Sequence, residues 1–164
     1  MKRSVVIVDD HLLIAKAITA IIDEFEGYEV LYEADNGNSL IERLKSSKNS
    51  PDIVLLDISM PIMDGFETAK WLKDNYPEVK VIALTMQADD ESLIKMIKNG
   101  ASGYLNKNVH PAELKKALDT VSSRGMYYPD WATSKLLYAL ANEHAAQKEK
   151  IKITEREEEF LKYA

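Results

Sequence analysis

Asp52-Ile53-Val54-Leu55-Leu56-Asp57 decides the fold. Four consecutive apolar residues between two acids read as a short strand buried on both faces, as in a parallel sheet covered by helices. Upstream, Ser4-Val5-Val6-Ile7-Val8 is a second such run and stops at Asp9-Asp10. Residues 12–25 carry apolar side chains at helical spacing, with Gly27 beyond them as a stop signal. Residues 28–34 alternate and read as a strand with one more exposed face, and residues 37–47 as a short helix with Leu40, Ile41 and Leu44 inward.

Downstream, residues 64–76 form a helix that starts at an Asp-Gly turn and ends before Pro77. Residues 79–84 make strand four. Residues 89–99 make a helix followed by Gly100, a good C-cap residue. Residues 103–106 are strand five, and residues 111–123 a helix with proline in its first turn. Five strictly alternating βα units predict an α/β fold with a parallel sheet and helices on both faces. Ligands of such sheets bind beyond the carboxyl ends of the strands, at a topological switch point. That rule points to Asp9-Asp10, Asp57, Thr85 and Lys107, each at the end of its strand.

Composition narrows the chemistry. The 164 residues suffice for one full core and a small appendage. With no cysteine, disulfides, thiolate metal sites and a cysteine nucleophile are excluded. A net charge of −6 argues against this stretch gripping nucleic acid by itself. No apolar run is long enough to span a bilayer, so the expected location is the cytoplasm, with no membrane partner.

Three carboxylates on one rim disfavour each other's ionisation unless a cation sits among them. Magnesium suits such a site, being hard and usually held by one or two carboxylates plus waters and a phosphate. Asp10 and Asp57 are then direct ligands, Asp9 acts through a bound water, and Lys107 supplies a fixed second positive charge. Asp57 becomes a nucleophile able to form an aspartyl phosphate, with Lys107 and the Thr85 hydroxyl meeting the charge on the phosphoryl oxygens. Any one acid could simply end a strand at the solvent edge; four such positions together favour function. His11 could be a metal ligand but is expected to face solvent, His110 to enter a helix and His144 to be exposed. Met60, Met63 and Met86 are expected to pack around the pocket.

The motifs Asp9-Asp10, Asp57-Ile58-Ser59-Met60-Pro61-Ile62-Met63-Asp64-Gly65, Leu84-Thr85 and Gly100-Ala101-Ser102-Gly103-Tyr104-Leu105-Asn106-Lys107 together resemble the receiver domain of two-component response regulators. The resemblance covers about residues 4–124. It implies a flavodoxin-like, doubly wound, five-stranded parallel sheet of order 2-1-3-4-5 with five helices. It also implies phosphorylation of Asp57 by a sensor histidine kinase, with Mg²⁺ held by Asp10, Asp57 and the main-chain carbonyl of Ser59. Thr85 and Tyr104 become the switch pair. The chain is expected to catalyse only its own phosphorylation and dephosphorylation. One departure is Asn108, where many members carry proline after the lysine. A cis bond is cheap at proline and costs ~2.5–4 kcal/mol elsewhere.

After residue 125 the pattern changes. Residues 126–150 read as a helical linker, amphipathic over 131–147. Residues 151–164 start with Thr154-Glu155-Arg156-Glu157, which fits a capping box. This last segment resembles the first helix of the helix-turn-helix domain of the NarL/FixJ/LuxR group, cut short. The resemblance implies a transcription regulator whose DNA contacts lie in an output domain, with homodimerisation on phosphorylation as one available output. The rivals are a magnesium-dependent phosphohydrolase with an aspartate nucleophile, a flavodoxin-like electron carrier, and a receiver-like module that binds no phosphate. The electron carrier would need a phosphate-cradling loop where this chain has Asp9-Asp10-His11-Leu12.

Overall fold

The computed structural model describes residues 2–86 and 89–132, with 134, 137, 138 and 141. The chain divides into two compact units, residues 1–129 and 130–164. Those residues of the second unit that are described are helical. His144, the linker's end and the capping box at Thr154 lie outside the described residues.

In the first unit β1 (Arg3–Val8), β2 (Tyr28–Ala34), β3 (Ile53–Asp57), β4 (Lys80–Thr85) and β5 (Gly103–Asn106) form one sheet of order β2-β1-β3-β4-β5. Every pairing is parallel. The crossovers are α1 (Leu12–Asp23), α2 (Gly37–Ser46), α3 (Gly65–Asn75) and α4 (Asp90–Lys98), and α5 (Pro111–Arg124) follows β5. The expected fold and strand order are those observed.

Both faces of the central strands are covered, which is why their sequences are wholly apolar. One face carries Val5, Ile7, Leu55, Ile82 and Leu84, packed with Ala15, Ile18 and Ile22 of α1 and Leu114, Leu118 and Val121 of α5. The alternate strand residues Val6, Val8, Val54, Leu56 and Ala83 point the other way and are equally buried. Leu40 and Leu44 of α2, Leu72 of α3 and Leu93 and Met96 of α4 are buried as well. Each such side chain contributes about 1.5–3 kcal/mol of apolar transfer.

Helix starts are set by short polar side chains. Asn36, Asp64 and Asp89 accept hydrogen bonds from the amides of Ser39, Glu67 and Ser92 at 2.9, 2.9 and 2.8 Å. Each satisfies an amide that has no partner within the helix. The acidic run Asp89-Asp90-Glu91 is thus a cap followed by two first-turn acids, as charge at a helix N-terminus favours. His110 caps α5, its Nδ1 accepting from the Ala112 amide at 3.1 Å. One detail was not expected: the β1–β2 register shifts between Val5 and Val6, which pair with Val30 and Tyr32. Leu31 falls in the gap and is 45% exposed.

Candidate phosphoacceptor site

Sheet register builds the site. Val8 pairs with Leu56, so the next residues, Asp9 and Asp57, emerge side by side. Asp57 pairs with Leu84, and Thr85 with Asn106, which brings Thr85 and Lys107 to the same edge. The switch point falls between β1 and β3, because the chain winds outward from β1 to β2 and then returns across it. Main-chain bonds tie down the exits of β1, β3 and β5: Asp9 N donates to Ala34 O at 3.0 Å, Ile58 N to Leu84 O at 3.2 Å and Lys107 N to Thr85 O at 2.8 Å.

Gly65 lets α3 begin against this edge. Its amide donates to Ile58 O at 2.8 Å. A Cβ there would lie 2.4 Å from Asp57 O and 2.7 Å from the Ile58 Cα, both unyielding backbone atoms. Any side chain would therefore push α3 away from the end of β3.

The charged groups meet below the rim. Lys107 Nζ lies 2.9 Å from Asp9 Oδ2 and 3.0 Å from Asp57 Oδ1, and all three side chains are almost wholly buried. One ammonium thus serves two buried carboxylates, and Asp10 adds a third, partly exposed one. Burial pushes the Asp57 carboxyl up to about 7 from its ordinary 3.8; the Lys107 hydrogen bond opposes this and the Asp9 charge adds to it. Asp57 Oδ1 also accepts from the Ser59 amide at 3.3 Å. Asp57 Oδ2 is buried with no hydrogen-bond partner.

That bare oxygen is the feature that a cation would satisfy. Asp9, Asp10, His11 and Asp57 each bring a ligand atom into one group spanning 4.8 Å. The donors are mostly hard carboxylate oxygens carrying more negative charge than Lys107 balances, so the set fits a divalent cation. Of the expected ligands, Asp9, Asp10 and Asp57 come together, while Ser59 lines the adjoining cavity.

His11 is exposed, as expected, yet its Nδ1 turns towards the acids, 3.1 Å from Asp9 Oδ1 and 3.2 Å from Asp10 Oδ1. Nothing in the spacing signals this, because the ring's direction is set by the turn between β1 and α1.

A cavity of about 570 Å³ opens beside Asp57, Thr85 and Lys107 and reaches Phe66 of α3 and Ser92 of α4. Met86, half-exposed, stands at its edge; Met63 instead packs towards Gly37 of α2. Tyr104 is fully buried, and its hydroxyl shares a 2.7 Å hydrogen bond with Ser92 Oγ. No peptide bond is cis among the described residues, and after Lys107 the Asn108 amide donates to Asn106 Oδ1 at 2.9 Å.

The response regulator receiver domain family matches residues 5–119, which hold every residue of this site. The chain belongs to that family. Among curated proteins, this receiver is 34% identical over 166 residues to the transcriptional regulatory protein LnrK of Bacillus subtilis, covering 96% of the chain and 74% of LnrK. It is 30% identical over 160 residues to the nitrate/nitrite response regulator protein NarL of Escherichia coli K12, covering 97% and 73%. Such relatives make it a response regulator of the NarL/LuxR type. The chain spans 56% to 74% of the length of these and other curated relatives. Its fold also matches a LuxR-family response regulator from Aurantimonas sp. SI85-9A1 with a TM-score of 0.75 and 23% identity, covering 86% of this chain and 99% of that one. No helix among the described residues is long and apolar enough to cross a membrane.

Proposed function

We propose that Asp57 accepts a phosphoryl group from a phosphohistidine of a sensor kinase and that the receiver passes this event to a DNA-binding output domain. The observation that carries this reading is the asymmetry of the Asp57 carboxylate. Oδ1 is tied to Lys107 and Ser59, while Oδ2 is bare. Oδ2 is therefore the attacking atom, through the lone pair that a cation on its other lone pair leaves free. Its bond to phosphorus forms as the phosphorus–nitrogen bond of the donor breaks, and the departing imidazole keeps the electron pair. Lys107, already 3.0 Å from Oδ1, is placed to neutralise charge on a phosphoryl oxygen, and Thr85 on the same edge can donate its hydroxyl to another. A bound Mg²⁺, held by Asp10, Asp57 and the Ser59 carbonyl with Asp9 through water, would supply Lewis-acid charge neutralisation.

The output rests on Thr85 and Tyr104. Thr85, drawn towards the phosphoryl group, leaves space against the Tyr104 ring. The Ser92 bond adds α4 to the coupled set, because moving the ring moves its hydroxyl's partner. On this reading the chain turns over nothing but its own aspartyl phosphate, works in the cytoplasm, and touches DNA only through an output domain.

The test is mass spectrometry after incubation with Mg²⁺ and acetyl phosphate. One added phosphoryl group is expected, absent from Asp57→Asn. An unchanged wild-type mass, or a phosphorylated Asp57→Asn protein, overturns the proposal.

A further inference from the structure

We propose that His11 is a nitrogen ligand of the cation at the phosphoacceptor site, giving this receiver a preference for transition-metal ions such as Mn²⁺ over Mg²⁺. The inference rests on the cation reading above and adds a donor and a selectivity to it.

The spacing of the donors carries the argument. An octahedral site with bonds of about 2.1 Å places adjacent donors about 3.0 Å apart and opposite donors about 4.2 Å apart. His11 Nδ1 lies 3.1 Å from Asp9 Oδ1, 3.2 Å from Asp10 Oδ1 and 3.9 Å from Asp57 Oδ2. The distance to Asp10 Oδ1 matches an adjacent edge, the one to Asp57 Oδ2 lies between an edge and a diagonal, and Asp9, which reaches the ion through water, stands beside the shell. The ring thus stands where a ligand of the same ion belongs, rather than outside its coordination shell.

A second, independent observation points into the same space. Asp57 Oδ2 is buried and has no hydrogen-bond partner, although its carboxylate is almost wholly removed from solvent. His11 Nδ1, at 3.9 Å, is too far to satisfy it directly. A cation between them would satisfy both atoms. Lys107 Nζ lies 3.4 Å from His11 Nδ1 and can only donate. Without a cation Nδ1 can instead carry the proton and donate to Asp9 Oδ1 at 3.1 Å; a metal requires the other tautomer, in which Nδ1 presents its lone pair and Lys107 can donate to it in the cation's absence.

The chemical consequence is selectivity. Carboxylates and waters suit Mg²⁺ and Mn²⁺ alike, whereas an imidazole nitrogen favours the transition ion. Because Nδ1 reaches the cluster from the half-exposed side of the site, the ring can enter or leave the shell without disturbing the buried Lys107 pairs.

The experiment uses the whole chain loaded with Mn²⁺. Pulsed electron paramagnetic resonance should show modulation from a directly bound ¹⁴N nucleus in the wild type, lost in His11→Ala and retained in His110→Ala and His144→Ala. Titration calorimetry should show Mn²⁺ affinity falling in His11→Ala by at least the roughly 10–100-fold that loss of even an outer-shell partner typically costs. Mg²⁺ affinity should change far less. Bound Mn²⁺ without nitrogen modulation, or modulation that survives His11→Ala, overturns the assignment of His11 and leaves the carboxylate site standing. No Mn²⁺ or Mg²⁺ binding at all overturns the cation reading with it.

Discussion

Replacing Asp57 with asparagine removes a charge that the fold keeps out of water. The side chain is nearly isosteric and can still accept from Lys107, so packing is preserved and the electrostatic cost is isolated. In the folded protein the Asp57 carboxyl sits at about 7, against 3.8 for the same group in water. A folded value above the unfolded one means that the group's contribution to stability is complete below about pH 4 and is lost as the pH rises to about 7. That difference corresponds to roughly 4 kcal/mol as an upper bound, since relaxation and water entry relieve part of it. Asp57→Asn is therefore expected to exceed the wild type in stability by about 2–4 kcal/mol near pH 8.5 and to match it near pH 4. Urea unfolding with EDTA present measures this, and the difference between the two proteins cancels the titration of the other carboxylates. The gap should open between those two pH values and then stay constant. A gap independent of pH, or an asparagine variant less stable than wild type at high pH, would refute the charge-burial account. On the proposed function, millimolar Mg²⁺ should narrow the gap by binding the ionised wild type and stabilising it by mass action.

Three further outcomes follow from the same geometry. Lys107→Met leaves Asp9 and Asp57 buried without a counter-charge and should cost about 3–5 kcal/mol near pH 8, less near pH 5, as urea midpoints at the two pH values will report. Ile62 is 78% exposed with φ of +69°, and Met63 N donates to Pro61 O across it at 2.7 Å. A β-branched residue in that left-handed turn is strained by about 1–2 kcal/mol, so Ile62→Gly should raise stability by about 1 kcal/mol in the same assay; a loss would refute the strain. Tyr104→Phe gives up the Ser92 bond and should lower stability by about 0.5–1.5 kcal/mol, while the double variant with Ser92→Ala should cost no more than the worse single one.

What was legible in the sequence is what periodicity and strand ends encode. The run Ile53-Val54-Leu55-Leu56, short, β-branched and bounded by acids, reads as a strand covered on both faces, and its terminal acid then emerges at the carboxyl edge. The resemblance supplied the strand order; given that order, register alone puts Asp9, Asp57, Thr85 and Lys107 together, since each lies at the end of its strand. What was not legible depends on side-chain direction within turns. His11 follows two acids at a helix start, where polarity predicts exposure; the backbone of the turn aims its Nδ1 inward all the same. Ser92 reads as an ordinary first-turn residue, and its bond to Tyr104 requires α4 to lie over β5, which no local pattern states. The bulge opposite Leu31 likewise arises from pairing between strands and leaves no trace in the alternation of β2.

The site is costly in a way that its chemistry can use. A single ammonium cannot balance three carboxylates, and Lys107 holds Asp9 Oδ2 and Asp57 Oδ1 in fixed places while leaving Asp57 Oδ2 unsatisfied. With the carboxyl near 7, a substantial part of the uncharged, weakly nucleophilic form is present at neutral pH. Whatever adds positive charge beside Oδ2 lowers that value, ionises the nucleophile and relieves the burial cost together. Cation binding and nucleophile activation are therefore one equilibrium rather than two. On the proposed function the phosphoryl group would extend it, taking over Oδ2 and carrying the negative charge outward to oxygens that Thr85 and Lys107 can reach. A receiver whose Asp57 were well satisfied before phosphorylation would be more stable, and phosphorylation would then have less strain to release through Thr85, Tyr104 and Ser92.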